Sequence, residues 1–415
     1  MFVLREWIGL VVVFGLIQSG LAGKQGVSSG AAATEPSAAE QVVPLLDSFN
    51  SMEPSRDQPL EADAEVIDPR VKARGARVVE PAVIAALRWI ADHQLPDGSW
   101  SFDHTLAPSC KGKCRSPGGL KEARNAATAM ALLPFLAAGQ APKAGEYRRA
   151  VGRGVDYLVR NVKRTEQGGS LMESGGTMYS HGLAAIALTE AYGMTQDRAL
   201  LEPAQAVVNY ISYAQDPVGG GWRYMPRQKG DTSVTGWQLH ALKNAHMSYL
   251  QVPPVAIRKA SSFLDSVQAN GGATYGYTTP GEGPATTAIG LLGRMYLGWD
   301  RDNPALQRGV ERVAAWGVST KGNMYYNYYA TQVAHHWGGD VWRKWNTDMR
   351  DWLLESQAKD GHEAGSWFFA GGDAGTDRGG RLYTTSLAAL MLLQSHREPL
   401  PLKREQPNVE FRELK

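Results

Sequence analysis

The stretch Asn125-Ala126-Ala127-Thr128-Ala129-Met130-Ala131-Leu132-Leu133-Pro134-Phe135-Leu136-Ala137-Ala138 is built from small and apolar residues with no polar face. Such a run reads as a helix buried on all sides, interrupted or kinked near Pro134. Similar runs recur at 182–192 (GLAAIALTEAY), 236–245 (GWQLHALKNA) and 386–393 (SLAALMLL). Superposing them puts Thr128, His181, Thr235, Thr287, Thr331 and Thr385 at one register, with spacings of 53, 54, 52, 44 and 54 residues. A period of this length is the signature of a repeat architecture. Between these runs lie amphipathic segments at 147–159, 202–215, 256–268, 303–316 and 348–357. In the first unit Pro81 to Gln94 sets Val83, Ile84, Leu87, Ile90 and Ala91 at helical spacing. Six two-helix units without a strand pattern make either an open solenoid or a closed ring. The first and last inner runs are as apolar as the middle ones, whereas open solenoids need polar caps. The expected fold is therefore all-α, a closed (α/α)6 toroid of six helical hairpins.

A second pattern links the helices. Gln94 leads to Trp100, Gln215 to Trp222 and Gln357 to Trp367, while Gln268 leads through a Gly-rich stretch to Tyr275. A glutamine ending one helix can bond backbone at the next while the aromatic ring packs over it. These units are expected to be structural staples.

With 43% hydrophobic residues and 12 tryptophans the chain can build a large core, and its net charge of +2 gives no footprint for nucleic acid. Residues 1–22 carry the layout of a secretory signal peptide, ending on Gly20-Leu21-Ala22. The alternative is an uncleaved anchor. Residues 23–77 read as a disordered tether, 78–397 as the toroid and 398–415 as a polar tail. The expected location is extracytoplasmic: periplasmic, secreted or at the cell surface. Cys110 and Cys114 are the only cysteines. In an oxidising compartment they suit a local disulfide, and a metal would need two more ligands, with only His104 near in sequence. No cofactor and no metal ligand set is assigned.

The Gln…Gly…Trp units resemble the QW repeats of the squalene–hopene cyclase and protein prenyltransferase β-subunit superfamily, over essentially all of 78–397. The segments YYNYYATQVAHHWGGDVWRKWN, GSWFFAGG and GGRLYTTSLAALMLL are similar to those of exported single-toroid proteins of planctomycete-type bacteria, the prenyltransferase/squalene-oxidase repeat proteins. The resemblance implies two chemistries. Class II terpene cyclases use an Asp-x-Asp-Asp motif at the start of an inner helix, where this chain offers only Asp231-Thr232. They also generally carry a second helical domain, for which this chain has no room. Protein prenyltransferases bind zinc through Asp, Cys and His, and no Cys lies on an inner run here. The Gly-Cys-Gly-Glu-Gln motif of complement-like thioester domains is absent.

In a ring, the first turns of the inner helices converge on one mouth. Four residues before the register lie Arg124, Thr177, Asp231, Gly283, Asn327 and Arg381; two before it lie Ala126, Tyr179, Ser233, Ala285, Tyr329 and Tyr383. The mouth is thus expected to hold one acid, two arginines and three tyrosines, with His181 deeper, His240 a turn further and Trp237 on the same helix. Asp231 is the candidate catalytic residue. At a helix N-terminus its pKa is expected to fall, whereas a general acid needs it raised. Arg124 and Arg381 either clamp an anion or pair with Asp231, Glu122 or Asp377. Tyr179, His181, Trp237, His240, Tyr329 and Tyr383 complete the ligand-binding candidates. The leading expectation is a toroid that binds a ligand or partner (an apolar lipid, or a surface glycan or protein) in its centre or rim without catalysis. The second is a class II terpene-cyclase-like isomerase acting on a polyprenyl lipid with Asp231 as general acid. A polysaccharide hydrolase or lyase would need paired carboxylates.

Overall fold

A computed structural model describes residues 81–397 of the chain. The expected signal peptide, tether and polar tail lie outside the described residues. Among the described residues twelve α-helices follow one another: α1 (Pro81–Asp92), α2 (Arg124–Ala137), α3 (Arg148–Asn161), α4 (Thr177–Thr195), α5 (Arg198–Ala214), α6 (Thr232–Met247), α7 (Pro254–Val267), α8 (Pro284–Tyr296), α9 (Pro304–Trp316), α10 (Met324–Trp337), α11 (Gly339–Ser356) and α12 (Ala374–Leu393). Two small antiparallel hairpins lie in the connections, β1 (Lys163–Thr165) with β2 (Gly168–Ser170) and β3 (Gln268–Ala269) with β4 (Thr274–Tyr275). Among the described residues no helix is long and apolar enough to cross a membrane.

The even-numbered helices form the inner wall, each packing on the next, and α12 packs on α2 to close the cycle. Burial follows from composition. Every residue of α2 after Arg124 is buried, and α2 runs through Pro134 as one helix. The odd-numbered helices bury one stripe only. In α3 it is Val151, Gly154, Val155 and Leu158, and in α9 it is Leu306, Gly309, Val310 and Val313, the i, i+3, i+4, i+7 spacing of a single face. Gly154 is there because a Cβ would sit 2.7 Å from the Trp100 ring. In α1 the buried stripe is Ala82, Val83, Ala86, Leu87, Trp89 and Ile90, so Ile84 faces solvent.

The seam where the ring closes has its own construction. Gly380 breaks the helical geometry of α12 with φ +58°, and a Cβ there would lie 2.2 Å from the Gly118 nitrogen. This close approach lets Leu120 N donate to Arg378 O at 2.9 Å and Arg381 N donate to Ser116 O at 3.0 Å. Gln357 Nε2 donates to Ala82 O at 2.8 Å across the same junction. First and last hairpins are thus joined through backbone.

Candidate functional site

The staples position everything else. Gln94 Nε2 reaches Gly98 O and Ala150 O, Gln215 Nε2 reaches Gly220 O and Ala256 O, and Gln357 Nε2 reaches Gly365 O and Ala82 O. Each tryptophan is fully buried and donates its indole N–H at 2.7 Å to the outer helix before it, on Ile90, Ile211 and Leu353. The register residues are the other half of the device. Thr128, Thr235 and Thr385 accept the backbone N–H of Trp100, Trp222 and Trp367, each at 3.0 Å. Thr287 accepts from Tyr275 N at 3.1 Å, and His181 Nδ1 accepts from Leu171 N at 3.1 Å. In the fifth unit Thr331 accepts the Trp345 indole N–H at 2.9 Å instead.

This accounts for three of the candidate residues. His181 is buried, with Nδ1 on Leu171 and Nε2 3.1 Å from Val207 O, so it is committed to the staple of its unit. Arg124 donates to Trp100 O and pairs with Asp97 at 3.0 Å. Arg381 pairs with Glu363 at 2.9 Å and donates to Ser366 Oγ and Arg115 O. The two arginines are therefore held in separate ion pairs rather than in one anion clamp. Their acids are Asp97 and Glu363, not Asp231, Glu122 or Asp377, because each guanidinium stays with the loop that precedes its own inner helix.

Asp231 stands apart. It is fully buried at the N-cap of α6, where Oδ1 accepts Val234 N at 2.9 Å. Its backbone N–H donates to Trp222 O at 2.8 Å, and Thr232 N donates to Tyr277 O, which fixes the carboxyl in place. Oδ2 is buried without a hydrogen-bond partner, and the Arg223 Nε is 3.9 Å away. Burial pushes its pKa up to about 6, opposed by the Val234 N–H, by Arg223 and by the nearby Tyr277 hydroxyl. The expected fall at a helix N-terminus does not occur. Loss of water outweighs the helix dipole at a site this deep.

Two carboxylates join Asp231 that the register did not predict. Glu173 accepts Asn125 N at 2.8 Å and Ala126 N at 2.9 Å, capping α2. Asp373 caps α12 through Thr376 N at 2.9 Å and accepts Tyr325 N at 2.7 Å and Tyr383 OH at 3.2 Å. The mouth is thus richer in acid than one residue. In Glu173 and Asp373, however, both oxygens carry hydrogen bonds, so only Asp231 keeps an uncommitted one.

Several tyrosines lie near that carboxyl. The negative charge of Asp231 acts on Tyr179, Tyr277 and Tyr325, raising their pKa values further above the ordinary range than burial alone. The Tyr224 and Tyr277 hydroxyls are 2.8 Å apart, and Arg223 lies over both rings. Deeper, Trp237 stacks on Tyr328 at 5.6 Å and meets Tyr329 edge-on at 5.4 Å. His240 follows at 5.9 Å from Tyr296. Tyr179, Tyr296 and Tyr325 are half-buried, and Tyr328, Tyr329 and Tyr383 are buried. Tyr329 OH and His240 Nδ1 are buried without hydrogen-bond partners. At the far end Arg397 pairs with Glu190 at 2.8 Å.

Tyr179, Trp237, His240, Tyr329 and Tyr383 thus lie on inner helices, and Asp231 caps one of them. The register did not find Arg223, Tyr224 and Tyr277, which lie one or two residues after the staple aromatics Trp222 and Tyr275. That adjacency was the available signal. The arrangement sets a buried carboxyl of raised pKa near aromatic rings, whose π faces suit a cation.

No protein-family model matches the chain. No curated protein matches it. Its fold is shared with solved structures of several activities. The type II terpene cyclase MstE from Scytonema is 13% identical, over 78% of this chain and 98% of that one, with a TM-score of 0.52. A cellobiose 2-epimerase from Bacillus thermoamylovorans is 14% identical over 75% and 96%, TM-score 0.52. An α-1,6-mannanase from Salegentibacter sp. is 10% identical over 76% and 97%, TM-score 0.51. At these identities the likeness establishes the toroid and no activity.

Proposed function

We propose that the protein encloses an apolar polyprenyl-type lipid in the aromatic interior of the ring and protonates it with Asp231, as a terpene-cyclase-like isomerase. The observation that carries this reading is the Asp231 carboxyl: buried, held by its backbone and Oδ1, with Oδ2 uncommitted and a pKa pushed up to about 6. A general acid works best with a pKa near the operating pH. Proton transfer to an alkene carbon would leave a carbocation facing the rings of Trp237, Tyr325 and Tyr329, whose π electrons stabilise positive charge. The Asp231 anion left behind would be stabilised by Val234 N–H, the helix N-terminus and Arg223. Proton loss from the cyclised cation completes a net isomerisation.

Two objections raised by the sequence weaken. A second helical domain is no requirement, since this single toroid matches 98% of the MstE chain. The absence of further motif acids is offset by burial, which raises the Asp231 pKa without a neighbouring carboxylate. A carbohydrate-cleaving reading is less favoured, because Glu173 and Asp373 are both consumed as helix caps. Binding without turnover is the second reading, favoured by the Oδ1 cap that ties the carboxyl to α6. The test is to incubate the purified chain with linear polyprenyl lipids and analyse extracts by mass spectrometry. Cyclised product that disappears in Asp231→Asn supports catalysis; retained, unaltered lipid supports binding alone. We also propose export through residues 1–22, which fractionation of expressing cells would test.

A further inference from the structure

Outside the ring interior, four side chains meet at the seam. His93 follows the last turn of α1, Cys110 and Cys114 come from the loop before α2, and His362 comes from the loop before α12. Lys111 and Gly112, both with positive φ, turn the chain so that the two cysteines come together. Both cysteines are free thiols. One ligand atom from each of the four residues lies within 4.8 Å of all the others. Cys114 Sγ is 3.5 Å from His93 Nε2 and 3.2 Å from His362 Nδ1.

We infer that His93, Cys110, Cys114 and His362 form a structural zinc site that clasps the first hairpin of the toroid to the last. The donor set is the Cys2His2 combination of tetrahedral zinc. With bonds of about 2.3 Å to sulfur and about 2.0 Å to nitrogen, a tetrahedral ion places neighbouring N and S atoms about 3.5 Å apart. The Cys114–histidine separations match this within a few tenths. Orientation fits as well. His93 Nδ1 donates to Trp89 O at 2.7 Å, which fixes the tautomer and leaves the Nε2 lone pair facing the thiols. His93, Cys110 and Cys114 are buried. Two thiolates neutralise the divalent ion, so the loaded site carries no net charge into that buried place. The surroundings belong to the junction itself: Arg115 N donates to Glu363 Oε1 at 2.7 Å, one residue from His362.

The competing chemistry is a Cys110–Cys114 disulfide. The deciding experiment is elemental analysis of the purified full-length chain, with thiols counted after denaturation. We expect about one zinc per chain and two free thiols. Chelation is expected to lower the melting temperature and zinc to restore it. His362→Ala and the double variant Cys110→Ser/Cys114→Ser should each lose the metal while circular dichroism reports the helical fold. Should either variant not fold, cobalt(II) loaded into the wild-type chain decides, since thiolate-to-cobalt charge-transfer bands report Cys ligation. A zinc-free chain with a Cys110–Cys114 disulfide that takes up no zinc after reduction overturns the proposal. So does zinc that persists in the double cysteine variant.

Discussion

The Thr235 hydroxyl accepts the backbone N–H of Trp222 at 3.0 Å, and the same bond joins Thr128 to Trp100 and Thr385 to Trp367. One inner-helix threonine therefore holds each tryptophan by its main chain, while the indole N–H binds the outer helix. The ring is a set of hairpins pinned at these points.

That relationship fixes the effect of breaking it. Trp222→Ala removes a fully buried indole and should cost about 3–5 kcal/mol of stability. Thr235→Val keeps the shape and strands a buried N–H, which should cost about 1–3 kcal/mol. Denaturant unfolding of both variants checks the order; equal and small losses would remove the staple from the account.

Most of this was legible in the sequence. The register at Thr128, Thr235, Thr287 and Thr385 aligned the inner helices but assigned those threonines no bond; the structure makes them acceptors of the staple backbone. The periodicity also gave the closed ring, because inner helices buried on every side need neighbours on both flanks. The site was read less well. Arg124 and Arg381 aligned at the mouth, yet each turned back onto its own loop, and alignment along a helix carries no information about loop acids such as Asp97 and Glu363. Asp231 was found, but the sign of its pKa shift was not, since burial depends on the tyrosines that close over it. His93 and His362 lie 269 positions apart. Only ring closure brings them to the cysteines.

Buried histidines set the acid limit. Burial lowers His181 to about 4 and His240 to about 3. Their folded values lie below the ordinary value of about 6.5, so the stability they contribute is present above pH 6.5 and lost as pH falls towards 4. Melting temperature should therefore drop across that window. A flat profile from pH 7 to pH 4 would contradict the burial of neutral imidazoles.

Asp231 has the opposite sign. Its folded pKa of about 6 is raised, so the protonated carboxyl favours folding at low pH and that contribution is lost as pH rises through about 6. Asp231→Asn keeps the Oδ1 cap and removes the buried charge. At pH 8 it should be more stable than wild type by up to about 3 kcal/mol, the equivalent of roughly two pKa units. Calorimetry at pH 5 and pH 8 checks this, the gain being expected only at pH 8. An Asn variant less stable at both would mean that the anion is well accommodated.

Turnover should follow the same proton. If Asp231 is the acid, the rate with a polyprenyl lipid falls as pH rises above about 6, tenfold per unit at the limit. A rate that climbs through that range would assign Asp231 the role of base.

The central claim is proton delivery from Asp231 into the ring interior, and deuterium transfer reads it directly. The chain is incubated with a linear polyprenyl lipid in deuterated buffer and the extract is examined by mass spectrometry. The account predicts a cyclised isomer carrying one deuterium, absent with Asp231→Asn although that variant still retains the lipid. Lipid recovered without deuterium from the wild-type chain, or the same labelled product from Asp231→Asn, would contradict it.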